Sequence, residues 1–254
     1  MTDEKISLEL CCPNLSSVVV AQKAGIKRIE LCSALSAGGL TPSYGMIMQA
    51  QKVFNGEIMV MVRPREGDFF YSDEEFNAMK ADILFCKTQN IRISGFVFGI
   101  LTREGKIDCI RTKELVDLSK PLKVCFHRAI DMSVNYLTNA VEEIIACGCD
   151  RILSSGAAVT AFDGIDSLAF LNEKYGDKIE IMAGSGINSE NIEEIFKRTH
   201  ISQFHFTAKK LQKNSMLFRK ENVSMGNNFS VSEYDIYIAD EAEINAIKKV
   251  SLSL

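Results

Sequence analysis

The chain has 254 residues, of which 46% are hydrophobic and 24% are charged, and its formal net charge is −4. This composition is ordinary for a soluble globular protein, and the weak negative charge argues against an overall electrostatic affinity for nucleic acid. The N-terminal residues lack the basic and apolar regions of a signal peptide, and no apolar run reaches the roughly 18 residues of a membrane span. We therefore expect a cytoplasmic protein that binds neither nucleic acid nor a membrane.

Strand-like and helix-like segments alternate along the chain at regular spacing. The predicted strands are Leu8–Cys12, Arg28–Cys32, Ile58–Arg63, Gly95–Leu101, Leu122–His127, Arg151–Gly156, Glu180–Gly184 and Gln203–Ala208. The predicted helices lie near residues 14–24, 42–53, 73–89, 108–118, 134–147, 160–174 and 189–198. Eight such βα units in about 250 residues predict an α/β fold, a closed (β/α)8 TIM-type barrel, with a doubly wound open sheet as the alternative.

The chain has no Pro-, Gly- or Ser-rich linker, so we expect a single domain over residues 1–254. Residues 209–239 have no good helical period, and Phe229–Ala239 is typical of extended segments before a final helix near 240–250. A long irregular excursion in a compact domain is usually functional, interfacial or mobile. We expect either a flap beside the barrel mouth or a dimer contact, and we favour a homo-oligomer, in particular a dimer.

Local signals mark where several helices begin. Thr41 and Pro42 are typical of an N-cap followed by proline at the first helical position. Asn14 and Ser133 are typical helix caps, and the Ser-x-x-Glu spacing that starts at Ser72 predicts a capping box. These signals support the predicted helix starts near these residues.

An apolar strand near Ile58 runs directly into the charged segment Arg63–Asp68, which also contains Pro64 and Gly67. Proline and glycine end the strand and turn the chain. Charged groups just past the carboxyl end of a buried parallel strand lie where α/β proteins place their sites. The segment therefore indicates a binding or catalytic site as well as the end of a strand.

Side chains alternate between the two faces of a strand, so the parity of a position predicts which residues share a face. Glu9 and Cys11 share one face of the first strand, and Glu30 and Cys32 share one face of the second. An unpaired carboxylate on the apolar, helix-facing side of a barrel strand would be prohibitively costly. All four side chains are therefore expected inside the barrel, with the cysteines nearer the mouth.

Arginine and histidine side chains are expected to join this group. Alternation places Arg63 with Arg65 and His205 with Thr207, and His127 lies at the end of the fifth predicted strand. Two carboxylates, two histidines and one or two arginines would converge on one cavity, where they could act as general acid and base or as a ligand set. The alternative is that the carboxylates and Arg63 form only a neutralised ion network that fills the barrel.

The chain contains eight cysteines and no Cys-x-x-Cys pair, which excludes the usual zinc-ribbon spacing and favours reduced thiols in a cytosol. Cys11 and Cys32 lie at matched depth on neighbouring predicted strands, so their thiolates could reach one soft cation. Cu(I) prefers soft sulfur ligands. The alternative is that both are inert buried hydrophobes, which is the common fate of free cysteine.

A glycine-containing turn follows the seventh predicted strand. Gly184, Ser185 and Gly186 would let backbone N–H groups approach an anion, and a helix beginning there would add favourable potential. Loops after strands seven and eight are the usual phosphate site in barrels. Ser155, after the sixth strand, could add a hydroxyl donor, whereas a tight turn is the alternative reason for a single Gly-x-Gly.

Short motifs are distributed, in order, over nearly the whole chain. They are Leu8–Cys11, Arg28–Cys32, Gly38–Ser43, Arg63–Asp68 with Tyr71–Asp73, Phe96–Gly99, Phe126–Ala129 with Asp131, Arg151–Gly156, Ala183–Gly186, Phe204–His205 and Val223–Gly226. In these motifs the chain resembles the CutC family, which is named for copper homeostasis. The resemblance implies a TIM-type barrel, which agrees with the periodicity, and it implies Cys11 and Cys32 as the copper ligands.

Our first functional hypothesis is a cytosolic copper-homeostasis protein that binds Cu(I) through Cys11 and Cys32 and needs no organic cofactor. The second is a barrel enzyme for a small anionic metabolite, in which Arg63 and Arg65 hold a carboxylate or phosphate and Gly184–Gly186 cradle it. Its candidate catalytic residues are Glu9, Glu30, Arg63, His127 and His205. A third hypothesis is a scaffold protein that uses residues 209–239 as its interface.

Overall fold

The computed structural model describes residues 5–89, 91–213, 215–220, 223, 232 and 234–254. Its β-strands are β1 Ser7–Cys12, β2 Arg28–Leu31, β3 Glu57–Met61, β4 Gly95–Phe98, β5 Lys123–Phe126, β6 Arg151–Ser154, β7 Glu180–Gly184, β8 Gln203–Phe206, β9 Lys209–Lys213 and β10 Asp235–Ala239. Its α-helices are α1 Leu15–Lys23, α2 Tyr44–Val53, α3 Asp73–Thr88, α4 Cys109–Ser119, α5 Ala140–Cys147, α6 Ile165–Tyr175, α7 Ile192–Thr199 and α8 Glu241–Ser251. Short 3₁₀ helices at Leu35–Ala37 and Arg128–Met132 follow β2 and β5. No helix within the described residues is both long and apolar enough to cross a membrane.

Strands β1 to β8 form a closed parallel barrel, in which β1 pairs with both β2 and β8. In these pairs Cys11 lies opposite Glu30, and Glu9 lies opposite His205. Closure around β1 confirms the predicted (β/α)8 barrel and excludes the open doubly wound sheet. Because the strands of the barrel are parallel, their carboxyl ends meet at one mouth, where barrel proteins place their sites.

Two apolar layers flank the strands of the barrel, one outside the strands and one inside them. The larger core lies between strands and helices and includes Leu10, Ile29 and Leu31, which are fully buried. The second cluster lies inside the barrel and consists of Cys11, Cys32, Met59, Met61, Val97, Cys125, Leu153 and Met182. The separation confirms the parity prediction, because Leu10 and Leu31 lie in the outer layer whereas Cys11 and Cys32 lie in the inner one.

Two of the predicted helix starts are confirmed. Asn14 caps α1 by accepting a hydrogen bond from the Ser17 backbone N–H. Ser72 and Glu75 form a reciprocal capping box at the start of α3. Both caps satisfy backbone N–H groups that the first turn of a helix leaves without intrahelical partners.

Two other predicted starts are wrong. Helix α2 begins later than predicted and Ser43 caps it, because the Thr41 hydroxyl instead hydrogen-bonds the backbone of Arg63. Helix α5 begins well after Ser133, which ends a 3₁₀ helix and donates its hydroxyl to Ile130 O. In both cases another hydrogen bond takes the side chain that could have capped a helix: a tertiary contact for Thr41 and a local one for Ser133.

The C-terminal part of the chain contains a small antiparallel sheet in which β9 pairs with β10. The Asn14 amide donates to Tyr237 O and the Ala239 N–H donates to Ser17 Oγ, so this sheet lies against the start of α1. Strand β9 differs from the irregular segment predicted from residue 209, whereas β10 agrees with the extended segments predicted over Phe229–Ala239. Much of the chain between them, including 224–226 of the predicted motif, lies outside the described residues, and α8 confirms the predicted final helix.

Candidate functional site at the barrel mouth

A cavity of about 1010 Å³ opens at the carboxyl ends of the barrel strands. Seven of the predicted site residues line it, namely Cys11, Glu30, Arg63, His127, Ser185, Gly186 and His205. Other lining residues include Asp68, Phe69, Arg103, Arg128, Asp131, Thr207 and Lys209. A volume at the upper end of the range for small-molecule sites can hold a metabolite as well as an ion.

Two thiols meet inside the barrel. The Sγ atoms of Cys11 and Cys32 lie 3.5 Å apart, Cys11 borders the cavity, and Cys32 is fully buried. The hydrogen bond between the thiols, followed by burial, raises the pKa of Cys11 well above its usual value. The Cys11 side chain is therefore a neutral thiol, and a metal that binds it must displace its proton.

The Cys11 thiol also has a carboxylate and an imidazole close to it. One ligand atom each from Cys11, Glu30 and His205 lie within 4.8 Å of one another. Sulfur, imidazole nitrogen and a carboxylate oxygen form a mixed donor set that suits a soft or borderline transition metal. Cys32 adds a second sulfur through its contact with Cys11.

Glu9 lies deeper in the barrel and is surrounded by basic groups. Its carboxylate is 2.7 Å from Arg28 Nε, 2.9 Å from His205 Nδ1 and 3.8 Å from Arg151 Nη1. Burial by itself would raise the pKa of Glu9, but the His205 hydrogen bond and the arginine charges outweigh burial and lower it to about 2. We call Glu9, Arg28 and Arg151 the floor cluster.

The floor cluster differs from the ion network of the carboxylates and Arg63 that the sequence offered as an alternative, because Arg63 takes no part in it. Arg28 and Arg151 neutralise Glu9 instead, although sequence reasoning singled out neither of them. Arg28 is the first residue of β2, Arg151 is the first residue of β6, and both occupy positions that face the barrel interior. Glu30 follows Arg28 by two residues, so these two side chains share the inward face of β2. The parity that identified Glu30 could therefore also have identified Arg28.

Glu30 is a buried carboxylate with one oxygen that lacks a partner. Its Oε2 is 3.8 Å from His205 Nε2, whereas Oε1 has no hydrogen-bond partner among the described residues. Burial raises the pKa of Glu30, and the charge of Glu9 adds to the increase against the opposing effect of His205. Burial lowers the pKa of His205, but the charge of Glu30 and the hydrogen bond with Glu9 outweigh burial and raise it.

Loop carbonyls hold the Arg63 guanidinium. Its Nη1 donates to Ala37 O at 2.7 Å and to Gly39 O at 3.2 Å, and its Nη2 donates to Gly67 O at 2.8 Å. Its Nε is buried and has no partner among the described residues, and its Cζ lies 5.0 Å from the centroid of the Phe69 ring. Arg63 therefore reaches the cavity as a positive charge that no carboxylate of the described residues pairs with.

His127 is held in one tautomer. Its Nδ1 accepts a hydrogen bond from the Ala129 backbone N–H at 3.2 Å, so the proton of the neutral ring is on Nε2, which is buried and has no partner among the described residues. Burial, followed by the charge of Arg63, lowers the pKa of His127 to about 3. A Cβ at Gly99 would lie 2.5 Å from His127 Nδ1, so this glycine makes room for the ring. We call Glu30, Arg63 and His127 the mouth cluster.

Arg65 does not join the mouth cluster. It forms ion pairs with Asp68 and Glu75, and it also donates to the backbone oxygens of Glu66 and Phe70. It is not among the residues that line the cavity. Contacts with its own loop and with Glu75 of α3 therefore occupy the guanidinium that was predicted to bind an anion.

Only part of the glycine-containing turn Gly184–Gly186 lines the cavity. Ser185 and Gly186 line it, but the Ser185 hydroxyl donates to Val159 O, and α7 begins only at Ile192. The predicted helix N-terminus is therefore not at Gly184–Gly186, because a turn separates this segment from the helix. Ser155 is buried and shares hydrogen bonds with Asp131 and Ala158 rather than lining the cavity.

The model of the CutC family matches residues 6–210 of the chain. The chain belongs to the CutC family. It is 45% identical over 224 residues to the family protein CutC of Vibrio cholerae serotype O1, with 87% of each chain covered. It is 36% identical over 247 residues to the copper homeostasis protein cutC homolog of Homo sapiens, covering 97% of this chain and 89% of that one. A CutC crystal structure from Streptococcus agalactiae matches with a TM-score of 0.74 at 34% identity, covering 80% of this chain and 98% of that chain.

Proposed function

We propose that this CutC-family protein acts in copper homeostasis by binding Cu(I) through Cys11 and Cys32. The observation that carries the proposal is the 3.5 Å contact between the two Sγ atoms inside the barrel mouth. Two sulfur atoms that face each other can ligate one soft cation, and Cu(I) prefers sulfur. The printed name of the human relative, a copper homeostasis protein, supports the same ion.

The surroundings of the thiols support a cation at this position. The Glu30 carboxylate and a His205 ring nitrogen lie within 4.8 Å of the Cys11 thiol and can complete the ligand set. Calcium or magnesium would require several more oxygen ligands than this group provides. The donor set therefore favours a soft monovalent ion over a hard divalent one.

An anaerobic titration with Cu(I) in competition with a chromogenic chelator tests the proposal. We expect the wild-type protein to remove one Cu(I) per chain from the chelator, and the Cys11→Ala/Cys32→Ala double variant to lose this binding. Cys12→Ala is a matched control, because Cys12 is a buried thiol on the same strand that belongs to the other apolar layer. Undiminished binding by the double variant would contradict the proposal.

A second candidate function is an enzyme that acts on a small anionic metabolite. The specific observation that favours it is that Glu30, Arg63 and His127, which line one cavity of about 1010 Å³, each have a buried polar atom with no partner in the part of the chain that the structure describes. A copper site recruits neither an arginine nor a protonated imidazole nitrogen, so copper does not account for these groups. Thermal unfolding in the presence of phosphate and carboxylate metabolites tests this function, because a ligand that binds only the native state raises the Tm.

A further inference from the structure

The mouth cluster concentrates the unsatisfied polar atoms of the protein. Within the described residues, six buried side-chain nitrogen or oxygen atoms have no hydrogen-bond partner, and three of them belong to Glu30, Arg63 and His127. Native proteins pair nearly all such atoms, so a concentration around one cavity needs an explanation. A ligand that supplies the missing partners explains all three at once.

The three atoms differ in what they offer a ligand. The His127 ring donates through Nε2–H, since its Nδ1 already accepts the Ala129 N–H. Arg63 offers Nε–H, which is buried without a partner among the described residues, whereas its Nη1 and Nη2 atoms donate to loop carbonyls. Glu30 accepts through Oε1. The cavity therefore presents two N–H donors and one carboxylate acceptor.

This pattern favours a single ligand oxygen at the two donors. Three of the five N–H groups of Arg63 donate to backbone carbonyls, so both N–H groups of Nη1 are occupied, and Nε–H and one Nη2–H remain for a ligand. A neutral imidazole that donates a hydrogen bond, together with a fixed positive charge, suits a carbonyl oxygen that becomes negative during reaction. Phe69 packs 5.0 Å from both the Arg63 guanidinium and the His127 ring, so both donors are fixed on one aromatic side chain.

We propose that the cavity binds a small carbonyl compound that carries an anionic group, and that it enolises this compound. The proposal rests on the second candidate function and names its chemistry. Glu30 Oε1 takes the proton from the carbon next to the carbonyl, and the electron pair of that C–H bond forms the new C=C bond. The C=O π pair moves to the oxygen, which accepts hydrogen bonds from His127 Nε2 and Arg63 Nε. Return of the proton, or of a solvent deuteron, from Glu30 to the same carbon re-forms the C=O bond and exchanges the carbon-bound hydrogen without an oxidant or a cofactor.

Two cationic side chains at the cavity are the reason why we expect the substrate to carry an anionic group. Arg103 and Lys209 line the cavity, and neither forms an ion pair with another described residue. Arg128, in contrast, is held by Asp131 at 2.8 Å. A phosphate or carboxylate on the substrate can lie against Arg103 and Lys209 while the carbonyl end reaches the mouth cluster.

Exchange of carbon-bound hydrogen with solvent tests this chemistry directly. Metal-free protein in D₂O is incubated with dihydroxyacetone phosphate in one arm and pyruvate in the other, and the C–H signals are followed by proton NMR. We expect exchange in at least one arm to be about 100-fold faster than in buffer, and Glu30→Gln to reduce the rate by about 10²–10⁴-fold. His127→Ala is expected to reduce it by about 10²–10³-fold.

Three further variants control the experiment. Glu114→Gln removes an exposed carboxylate of α4 and should keep the wild-type rate. Glu30→Asp keeps a carboxylate and should retain part of the exchange if the glutamine variant is poorly folded. Cys12→Ala removes a buried thiol of the other apolar layer that does not line the cavity, and it should keep the wild-type rate. Circular dichroism and Tm confirm that each variant is folded.

The outcomes separate the chemistry from the broader enzyme function. A probe that raises the Tm of the wild-type protein but shows no exchange would overturn enolisation and leave an anion-binding enzyme standing. Neither a Tm shift nor exchange with either probe would overturn both. An unchanged exchange rate in folded Glu30→Gln would overturn the role of Glu30. Exchange with only one probe would identify the anionic group as phosphate or carboxylate.

Discussion

The floor cluster and the mouth cluster both bury charged side chains, but they satisfy them differently. On the floor, every carboxylate oxygen of Glu9 lies within hydrogen-bond distance of Arg28 or His205, and Arg151 adds a third positive neighbour. A buried charge is tolerated only when it is paired in this way. The floor cluster is therefore complete without a ligand.

By the same criterion, the mouth cluster is incomplete without a ligand. Glu30, Arg63 and His127 each keep one polar atom without a partner among the described residues, although all three side chains are buried. An unsatisfied buried group costs roughly 1–3 kcal/mol. The comparison teaches that a charge in the barrel interior indicates function only where its partners are missing, and that paired charges such as Glu9 hold the fold.

The largest expected effect comes from the floor. Glu9→Gln leaves Arg28 without its acidic partner inside the barrel, and breaking a buried ion pair on one side costs about 3–5 kcal/mol. We expect this loss in the free energy of unfolding measured with urea at pH 7. Glu180→Gln is the control, because the Glu180 side chain is 44% exposed and its loss should cost much less. Equal effects of the two variants would contradict the distinction between buried and exposed partners.

A smaller effect is expected when His127 is titrated. Its pKa is about 3 in the folded protein and 6.5 in the reference state, so between these pH values the unfolded chain binds a proton that the folded protein does not. Stability is therefore full above pH 6.5 and falls by about 2 kcal/mol on going from pH 6.5 to pH 5. Urea unfolding at both pH values should show this loss in the wild-type protein and not in His127→Gln.

His205 provides an internal check on this pH dependence. Its pKa is raised in the folded protein, so its contribution to stability is present below pH 6.5 and is lost as the pH rises above that value. The two histidines therefore act in different pH windows and with opposite sign. A His127→Gln variant that still loses stability between pH 6.5 and pH 5 would show that another group causes the effect.

The smallest effect on stability is expected at the mouth. Glu30→Gln is the same chemical change as Glu9→Gln on the neighbouring strand, but it removes a buried carboxylate that has one oxygen without a partner. We expect the free energy of unfolding to change by less than about 1 kcal/mol, in either direction. Urea unfolding of the two variants side by side checks this. If Glu30→Gln lowered the free energy of unfolding as much as Glu9→Gln, the distinction between the two clusters would be wrong.

The fold could be predicted from the sequence because its signals are local. The alternation of apolar strands with helical segments gave the barrel, and strand parity gave the inward direction of Glu9, Cys11, Glu30 and Cys32. Helix starts were less certain, because Ser133 and Thr41 can bond either to a helix end or to a loop. A tertiary contact with Arg63 decides the partner of Thr41, whereas Ser133 bonds a carbonyl three residues earlier.

The site could be predicted only as a collection of residues. The sequence placed Arg63 and Arg65 together, but the structure brings Arg63 to the cavity and ties Arg65 to Asp68 and Glu75. The difference depends on where the carbonyls of Ala37 and Gly39 lie, and these belong to a loop distant in sequence. No local pattern contains that information.

The sequence by itself determined the barrel, the depth order of its interior residues and the presence of thiols, carboxylates and imidazoles at the mouth. Those properties follow from periodicity and parity, which are fixed by the geometry of a single strand or helix. The tertiary structure alone decided which of these groups are paired. Partners such as Arg28 and Arg151 reach Glu9 from different strands, so pairing depends on register and on closure of the barrel. The same closure leaves Glu30, Arg63 and His127 with unpaired atoms in one cavity, which is the feature that points to a ligand.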